Sequence, residues 1–177
     1  MECPPAETPG RRLNAVELAI ISDTHLPRGK RRLPDRCHEL LRAADLILHA
    51  GDLSTVAVLE CLRILGPPVA AIHGNVDSAE LRDLLPAETT IEAGGVTIAM
   101  IHDAGPARGR LARMRRRFPS AAAVIFGHSH IPLHEEANGF QIFNPGSPTD
   151  RRRFPCHTMG LARVGRGRID FELIALD

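Results

Sequence analysis

Tryptophan and tyrosine are missing from this 177-residue chain, and aromatic residues make up only 3% of it. Its core must therefore be filled by Val, Ile, Leu and Ala, which a 44% hydrophobic content can supply. Lysine is nearly missing too: Lys30 stands alone, so arginine carries the basic charge. With Lys+Arg at 22 and Asp+Glu at 21, the net charge is +1. Global charge thus singles out no polyanionic partner, and any basic effect has to be local. Cysteines are few and scattered, at Cys3, Cys37, Cys61 and Cys156. They form no Cys-x-x-Cys pair and no disulfide framework, which points to reduced thiols and a cytoplasmic location. No apolar run approaches the roughly 18 residues of a membrane span, and Met1–Leu13 has no signal-peptide core. Residues 1–14, with Pro4, Pro5, Pro9 and Gly10, read as a disordered leader. Residues 15–177 fit the size of a single domain.

What is present is a series of short apolar strands that stop at polar residues. Leu46-Ile47-Leu48 is a continuous apolar run, as expected of a parallel strand covered on both faces. It ends at Gly51-Asp52. Leu18–Ile21 ends at Asp23-Thr24-His25, and Val69–Ile72 ends at Gly74-Asn75. Helices are predicted from Pro34 or Asp35 to Ala43, from Ser54 or Thr55 to Leu65, and from Ser78 to Leu85. In the second of these, Val58, Leu62 and Leu65 share one stripe, and Ala57, Cys61 and Ile64 or Leu65 another, so Cys61 reads as a core residue. Strand alternating with helix implies parallel pairing.

After Pro86 the pattern changes. Thr89–Glu92 and Val96–Ile101 flank Gly94-Gly95, a hairpin signal, and the second strand ends at His102. Arg108–Phe118 reads as a helix with Leu111, Met114 and Phe118 inward and a solvated arginine face. Ala122–Phe126 is a buried strand ending at Gly127-His128-Ser129-His130. Ile131–Glu135 and Phe140–Phe143 pair across Asn138-Gly139, and His157–Val164 and Arg168–Ile174 form a last hairpin through Gly165 and Gly167.

Asp23, His25, Asp52, Asn75, His102, His128 and His130 all close predicted strands, and ligands collect at such strand ends in open α/β sheets. Two carboxylates, one amide oxygen and four imidazoles are too many for one tetrahedral ion. Imidazole with carboxylate suits Zn, Mn or Fe. Two ions about 3.5–4 Å apart could clamp a phosphoryl group. His49, His73 and His134 read as satisfied core histidines instead.

In this order, Asp23-x-His25, Gly51-Asp52, Gly74-Asn75, His102 and Gly127-His128-x-His130 resemble the signature of the calcineurin-like metallophosphoesterase superfamily. The resemblance spans about residues 17–176. The short length and the Asn144-Pro145-Gly146-Ser147 loop resemble its small bacterial and archaeal phosphodiesterase branch, which is also similar to the eukaryotic retromer subunit Vps29. The resemblance implies an αββα sandwich, two mixed sheets with helices outside. It implies two divalent ions, manganese first, with zinc, iron or nickel as alternatives. Asp23, His25 and His130 would hold one ion; Asn75, His102 and His128 would hold the other and line the catalytic centre; Asp52 would bridge. A metal-bridging hydroxide would attack phosphorus in line.

The resemblance departs at one position. Many family members carry a histidine after the Gly-Asn pair as general acid; here that residue is Val76. Asp77 reads as a helix cap, with Glu80 completing a capping box. The general acid is therefore unassigned.

The reading is a phosphoesterase, with a phosphodiester substrate first and phosphomonoesters of nucleotides or small phosphates second. A non-catalytic scaffold of the Vps29 kind is the rival, and seven intact ligands argue against it. A small phosphate ester is the expected partner, nucleotides included, with neither a membrane nor a nucleic acid. Self-association is left open. The basic runs Arg28–Arg32 and Arg151–Arg153 are expected to include one that flanks the site.

Overall fold

The structure, a computed structural model, describes residues 15–177. The predicted leader, residues 1–14, lies outside the described residues. Strands β1 (Val16–Ile21), β2 (Leu46–His49) and β3 (Val69–Ala71) are linked through helices α1 (Asp35–Ala43) and α2 (Val56–Arg63), and α3 (Ala79–Leu84) follows. Then come β4 (Glu88–Ala93), β5 (Val96–Ile101), α4 (Arg110–Arg117) and β6 (Ala123–Ile125). The chain closes with β7 (Leu133–Ala137), β8 (Phe140–Asn144), β9 (Thr158–Gly165) and β10 (Arg168–Ala175).

Two five-stranded mixed sheets result, in the orders β10-β9-β1-β2-β3 and β4-β5-β6-β8-β7. β1 runs parallel to β2, and β2 to β3, as the alternation of strand and helix required. In the second sheet β6 lies parallel to both β5 and β8, while the hairpins β4–β5 and β7–β8 add antiparallel edges. Both hairpin turns place two successive residues in the left-handed region, Gly94-Gly95 and Asn138-Gly139. That is what the twist of a two-residue hairpin demands. The last hairpin turns at Arg166-Gly167 rather than at Gly165, which stays in β9.

Side chains alternate across β1 and so serve two cores. Leu18 and Ile20 pack with Leu48, Ile98, Met100, Ile125 and Phe143 between the sheets. Ala19 and Ile21 pack with Leu41, Ile47, Leu59 and Leu62 beneath the helices of the first sheet. Met114, Val124, Phe126 and Phe140 form a third layer under α4. The fold is thus an αββα sandwich. Burying each aliphatic side chain fully is worth about 1.5–3 kcal/mol, and helices as short as these depend on such packing.

Two expectations are corrected here. Of the two apolar stripes on α2, only the one containing Val58 and Leu62 turns inward, joined by Leu59. Cys61 is exposed and Ile64 is 82% exposed, because the helix can bury only one face. The α4 arginines divide: Arg115, Arg116 and Arg117 are exposed as expected, whereas Arg110 and Arg113 are half-buried. Arg110 and Arg113 bond the carbonyls of Gly105 and Ala104, and Arg110 also lies over the Phe126 ring at 5.1 Å.

Candidate metal centre

The two sheets present the C-terminal ends of β1, β2, β3, β5 and β6 at one edge, and all seven predicted residues sit in the loops that leave them. The β1 and β2 loops continue the strand pairing, with Asp23 N donating to Gly51 O and His25 N to Asp52 O. The chain then turns sharply. Asp23, His25, Asp52, His128 and His130 all have positive φ, between 45° and 67°. Asp and His enter this region more readily than most residues, but each such residue costs of order 1–3 kcal/mol. The surrounding hydrogen bonds hold them there.

Two groups of side chains converge. In the first, His25 Nε2 lies 3.1 Å from His130 Nε2, and Asp23 Oδ1 lies 3.5 Å from His130 Nε2. His130 Nδ1 donates to Asp150 O at 2.7 Å, so its Nε2 presents a lone pair. In the second, His102 Nε2 lies 3.1 Å from Asn75 Oδ1 and 3.3 Å from Asp52 Oδ2, while His128 Nδ1 is 2.9 Å from the same Asn75 oxygen. His102 Nδ1 donates to Ala50 O, which turns Nε2 inward. Asp52 Oδ2 is 3.7 Å from His25 and 3.3 Å from His102, so it reaches both groups. Ligand atoms of Asp23, His25 and His130, and of Asp23, Asp52 and His102, each lie within 4.8 Å of one another. The buried donors of Asp23, His25, Asp52, His102 and His130, with exposed Asn75 and His128 beside them, fit a cation, and the mixed N and O donor set suits a divalent ion.

The electrostatics point the same way. Burial raises the Asp23 carboxyl to about 7, against the opposing pull of His102. Burial works against a charged His102, but its hydrogen bond to Asp52 and the two aspartates outweigh this and raise it to about 9. For Asp52 burial acts upward, yet His102, the Val76 amide and His25 together hold it below the usual carboxylate range. Burial lowers His25 and His130.

Beyond these seven, sequence reasoning missed the groups that fix the loops. Asp77 does not cap α3; Ser78 does, its hydroxyl accepting from Leu81 N at 3.2 Å. Asp77 is 3% exposed and accepts three backbone N–H groups, from Asp52 (3.0 Å), Ser54 (2.6 Å) and Gly74 (2.7 Å). A Ser directly before the helix was the signal that left Asp77 free for this task. The Asn144–Ser147 loop braces the other side: Asn144 Nδ2 donates to Gly127 O, Ser147 Oγ to Asp23 O and Thr149 Oγ1 to Thr24 O. Glycine is required at two of the turns. A Cβ on Gly74 would strike the Asp52 carboxylate, and one on Gly127 would strike Ser22 and Asp23.

The histidines set aside as core residues divide. His49 is wholly buried, held by Gly51 N and Thr24, and burial lowers it to about 3. His73 is only partly buried. His134 is exposed, bonded to Gln141 and edge-on to Phe143 and Phe171. The basic runs converge: Arg31 lies 3.0 Å and Arg152 3.5 Å from the Asp150 carboxylate, and Arg152 Nε is 3.3 Å from His130 Nδ1. On the other side Asn75, His102 and His128 open into a cleft of about 710 Å³ walled by Arg82, Glu88, Ile101 and Arg117. Val76 is 48% exposed beside it.

Comparison with known proteins agrees with this geometry. Residues 16–167 match the calcineurin-like phosphoesterase superfamily domain. A "Probable metallophosphoesterase" of Methanothermobacter thermautotrophicus is 32% identical over 159 residues, covering 89% of this chain and 91% of that protein. Vps29 of Cryptosporidium parvum shares the fold with a TM-score of 0.75 at 21% identity, over 90% of this chain and 97% of that one. A structurally and functionally characterised archaeal phosphodiesterase does so with a TM-score of 0.66 at 18% identity, over 89% and 99%. The family match runs from β1 to the turn between β9 and β10 and takes in every loop that carries the centre, so this chain belongs to the calcineurin-like phosphoesterase superfamily.

Proposed function

We propose that the protein is a dinuclear metal-dependent hydrolase of phosphate esters, a phosphodiesterase, with residues 15–177 as one catalytic domain acting in the cytoplasm. The observation that carries this reading is the convergence of Asp23, His25, Asp52, Asn75, His102, His128 and His130, with Asp52 Oδ2 within 3.7 Å of His25 and 3.3 Å of His102. Asp23, His25 and His130 would hold one ion, Asn75, His102 and His128 the other, and Asp52 both. Manganese is the first choice, with zinc, iron or nickel as alternatives. Such ions supply Lewis-acid charge and a hydroxide nucleophile for in-line displacement at phosphorus.

The chain's own residues would then orient the substrate. The Asn75 amide and the His128 ring face the cleft and would hydrogen-bond the developing negative charge at phosphorus. The cleft would receive one ester substituent, beside the Arg82 guanidinium. Arg31 and Arg152, drawn together by Asp150, give the opposite rim a net positive charge. The archaeal phosphodiesterase supports diesters over monoesters.

The test is a screen of the manganese-reconstituted protein against bis-aryl phosphates and aryl monophosphates, with and without chelator. Chelator-sensitive turnover that favours diesters is expected. Faster monoester hydrolysis would assign a phosphomonoesterase. Full metal loading with no turnover of either would assign a scaffold, a role the Vps29 neighbours keep in view.

A further inference from the structure

The loops of the centre are braced by two hydrogen-bond systems, which join where Asp23 N donates to Gly51 O and His25 N to Asp52 O. The loops carrying Asp23, His25, His128 and His130 are tied by Asn144, Ser147 and Thr149. The loops carrying Asp52 and Asn75 are tied by Asp77. Its Oδ2 accepts from Asp52 N and Gly74 N, and its Oδ1 from Ser54 N. Val76 N, next to Asp77, donates in turn to Asp52 Oδ1 at 3.0 Å. One buried carboxylate thus gathers three amides of the turns after β2 and β3, alongside the direct bonds from Val76 N to Asp52 Oδ1 and from Ser78 N to Ser54 O. Nothing else among the hydrogen bonds of the described residues ties Gly74 N to the Gly51–Ser54 turn.

We propose that Asp77 is a positioning residue that sets occupancy of the Asn75–His102–His128 side more strongly than that of the Asp23–His25–His130 side. Three N–H donors converging on one carboxylate are strong, charge-assisted bonds. Without them, the Asn75 oxygen and Asp52 Oδ1 lose their shared frame. Asp23 and His130 keep their bonds to Ser147 and Asp150. An uncharged Asn at position 77 retains one carbonyl oxygen for two of the donors but turns an N–H₂ toward the third. The inference rests on the two-ion reading proposed above.

The experiment titrates metal-free wild type, Asp77→Asn, Asp77→Ala and Ser78→Ala with Mn²⁺, read by calorimetry and by electron paramagnetic resonance. Circular dichroism checks folding at the working temperature. Wild type should bind two ions and show a spin-coupled pair. Asp77→Asn should keep one site near wild-type affinity and weaken the other about 10–100-fold, the usual cost of losing an outer hydrogen-bond partner. Asp77→Ala should show one ion with an uncoupled signal. Ser78→Ala loses the helix cap but keeps the backbone bond from Ser78 N to Ser54 O and every Asp77 contact, and should keep both ions. Asp77→Asn serves if the alanine variant does not fold. Equal weakening of both sites in Asp77→Asn, or two unchanged sites, would overturn the proposal. A wild type that binds fewer than two ions under the same conditions would overturn the two-ion reading itself.

Discussion

The Nε2 atoms of His25 and His130 face each other across 3.1 Å, although the residues lie 105 positions apart in the chain. Burial lowers the pKa of both rings, and the Nε2 of His130 has no proton to offer because its Nδ1 donates to Asp150 O. A divalent ion between them should therefore stabilise the fold by ligation. With Mn²⁺ at 100 times its dissociation constant, the gain is expected to be about 2.7 kcal/mol per independent site. Differential scanning calorimetry with added Mn²⁺ and then chelator measures it. A melting temperature indifferent to both would contradict a metal centre here.

The same centre predicts a pH dependence for the metal-free protein. Burial raises Asp23 from 3.8 to about 7, and the aspartates around His102 overcome its burial to raise it from 6.5 to about 9. Both groups bind protons more tightly folded than unfolded. The stability they contribute is complete below their unfolded values and is lost as pH rises through about 7 and then about 9. His49, lowered by burial to about 3, acts in the opposite sense and removes stability as pH falls below 6.5. Metal-free protein should thus melt highest near neutrality and lose stability toward pH 9, where added Mn²⁺ should restore the most. Melting curves across pH, with and without metal, check both limbs.

Asp52 reaches both groups, whereas His25 belongs to one. Asp52→Asn should lower metal content at both sites and reduce kcat by at least about 10²-fold, in line with the loss of a main charge-stabilising group. His25→Ala should leave close to one ion per chain. Elemental analysis after dialysis decides; two retained ions in Asp52→Asn would remove its bridging role.

Val76 follows the Gly74-Asn75 pair, where the resemblance to many family members implies a general acid, and its exposed side chain leaves room for an imidazole. Proton donation is typically worth about 10²–10⁴-fold. Wild type should turn over activated aryl diesters well and alkyl esters poorly, with kcat falling steeply as the leaving-group pKa rises. Val76→His should flatten that slope. A shallow slope in wild type would mean that another group already donates the proton.

Arg152 stands 3.3 Å from the His130 ring and shares Asp150 with Arg31. Arg152→Gln should raise KM for an anionic ester severalfold at low salt and little at high salt, since screening shortens its reach to about 3 Å at 1 M. Steady-state kinetics at two ionic strengths test it. A KM unmoved at either would make the arginine ordinary surface charge.

Much of this was legible before any coordinates. Apolar runs such as Leu18–Ile21 and Leu46–Leu48 specify buried strands, because period and burial follow from side-chain chemistry alone. Gly94-Gly95 and Asn138-Gly139 specify hairpins, because few residues tolerate positive φ twice in succession. The polar residues closing each strand marked the candidate centre for the same local reason. The inward face of α2 was not legible. Its two apolar stripes are nearly equal in sequence, and only the first sheet's surface decides that Leu59 and Leu62 turn in while Cys61 turns out.

Asp77 shows the same division most sharply. An Asp before a helix carries a local signature, and locally it reads as a cap. Its actual partners, Asp52 N and Ser54 N, lie 25 and 23 residues away and come within reach only when β2 and β3 pair in register. The sequence by itself determined which residues end the strands and which chemistry they offer, since strand period, turn propensity and ligand type are properties of neighbouring residues. The tertiary structure alone decided which of those groups meet, which carbonyls fix the lone pairs of His102 and His130, and which carboxylate holds the loops, since these depend on contacts between segments far apart in the chain.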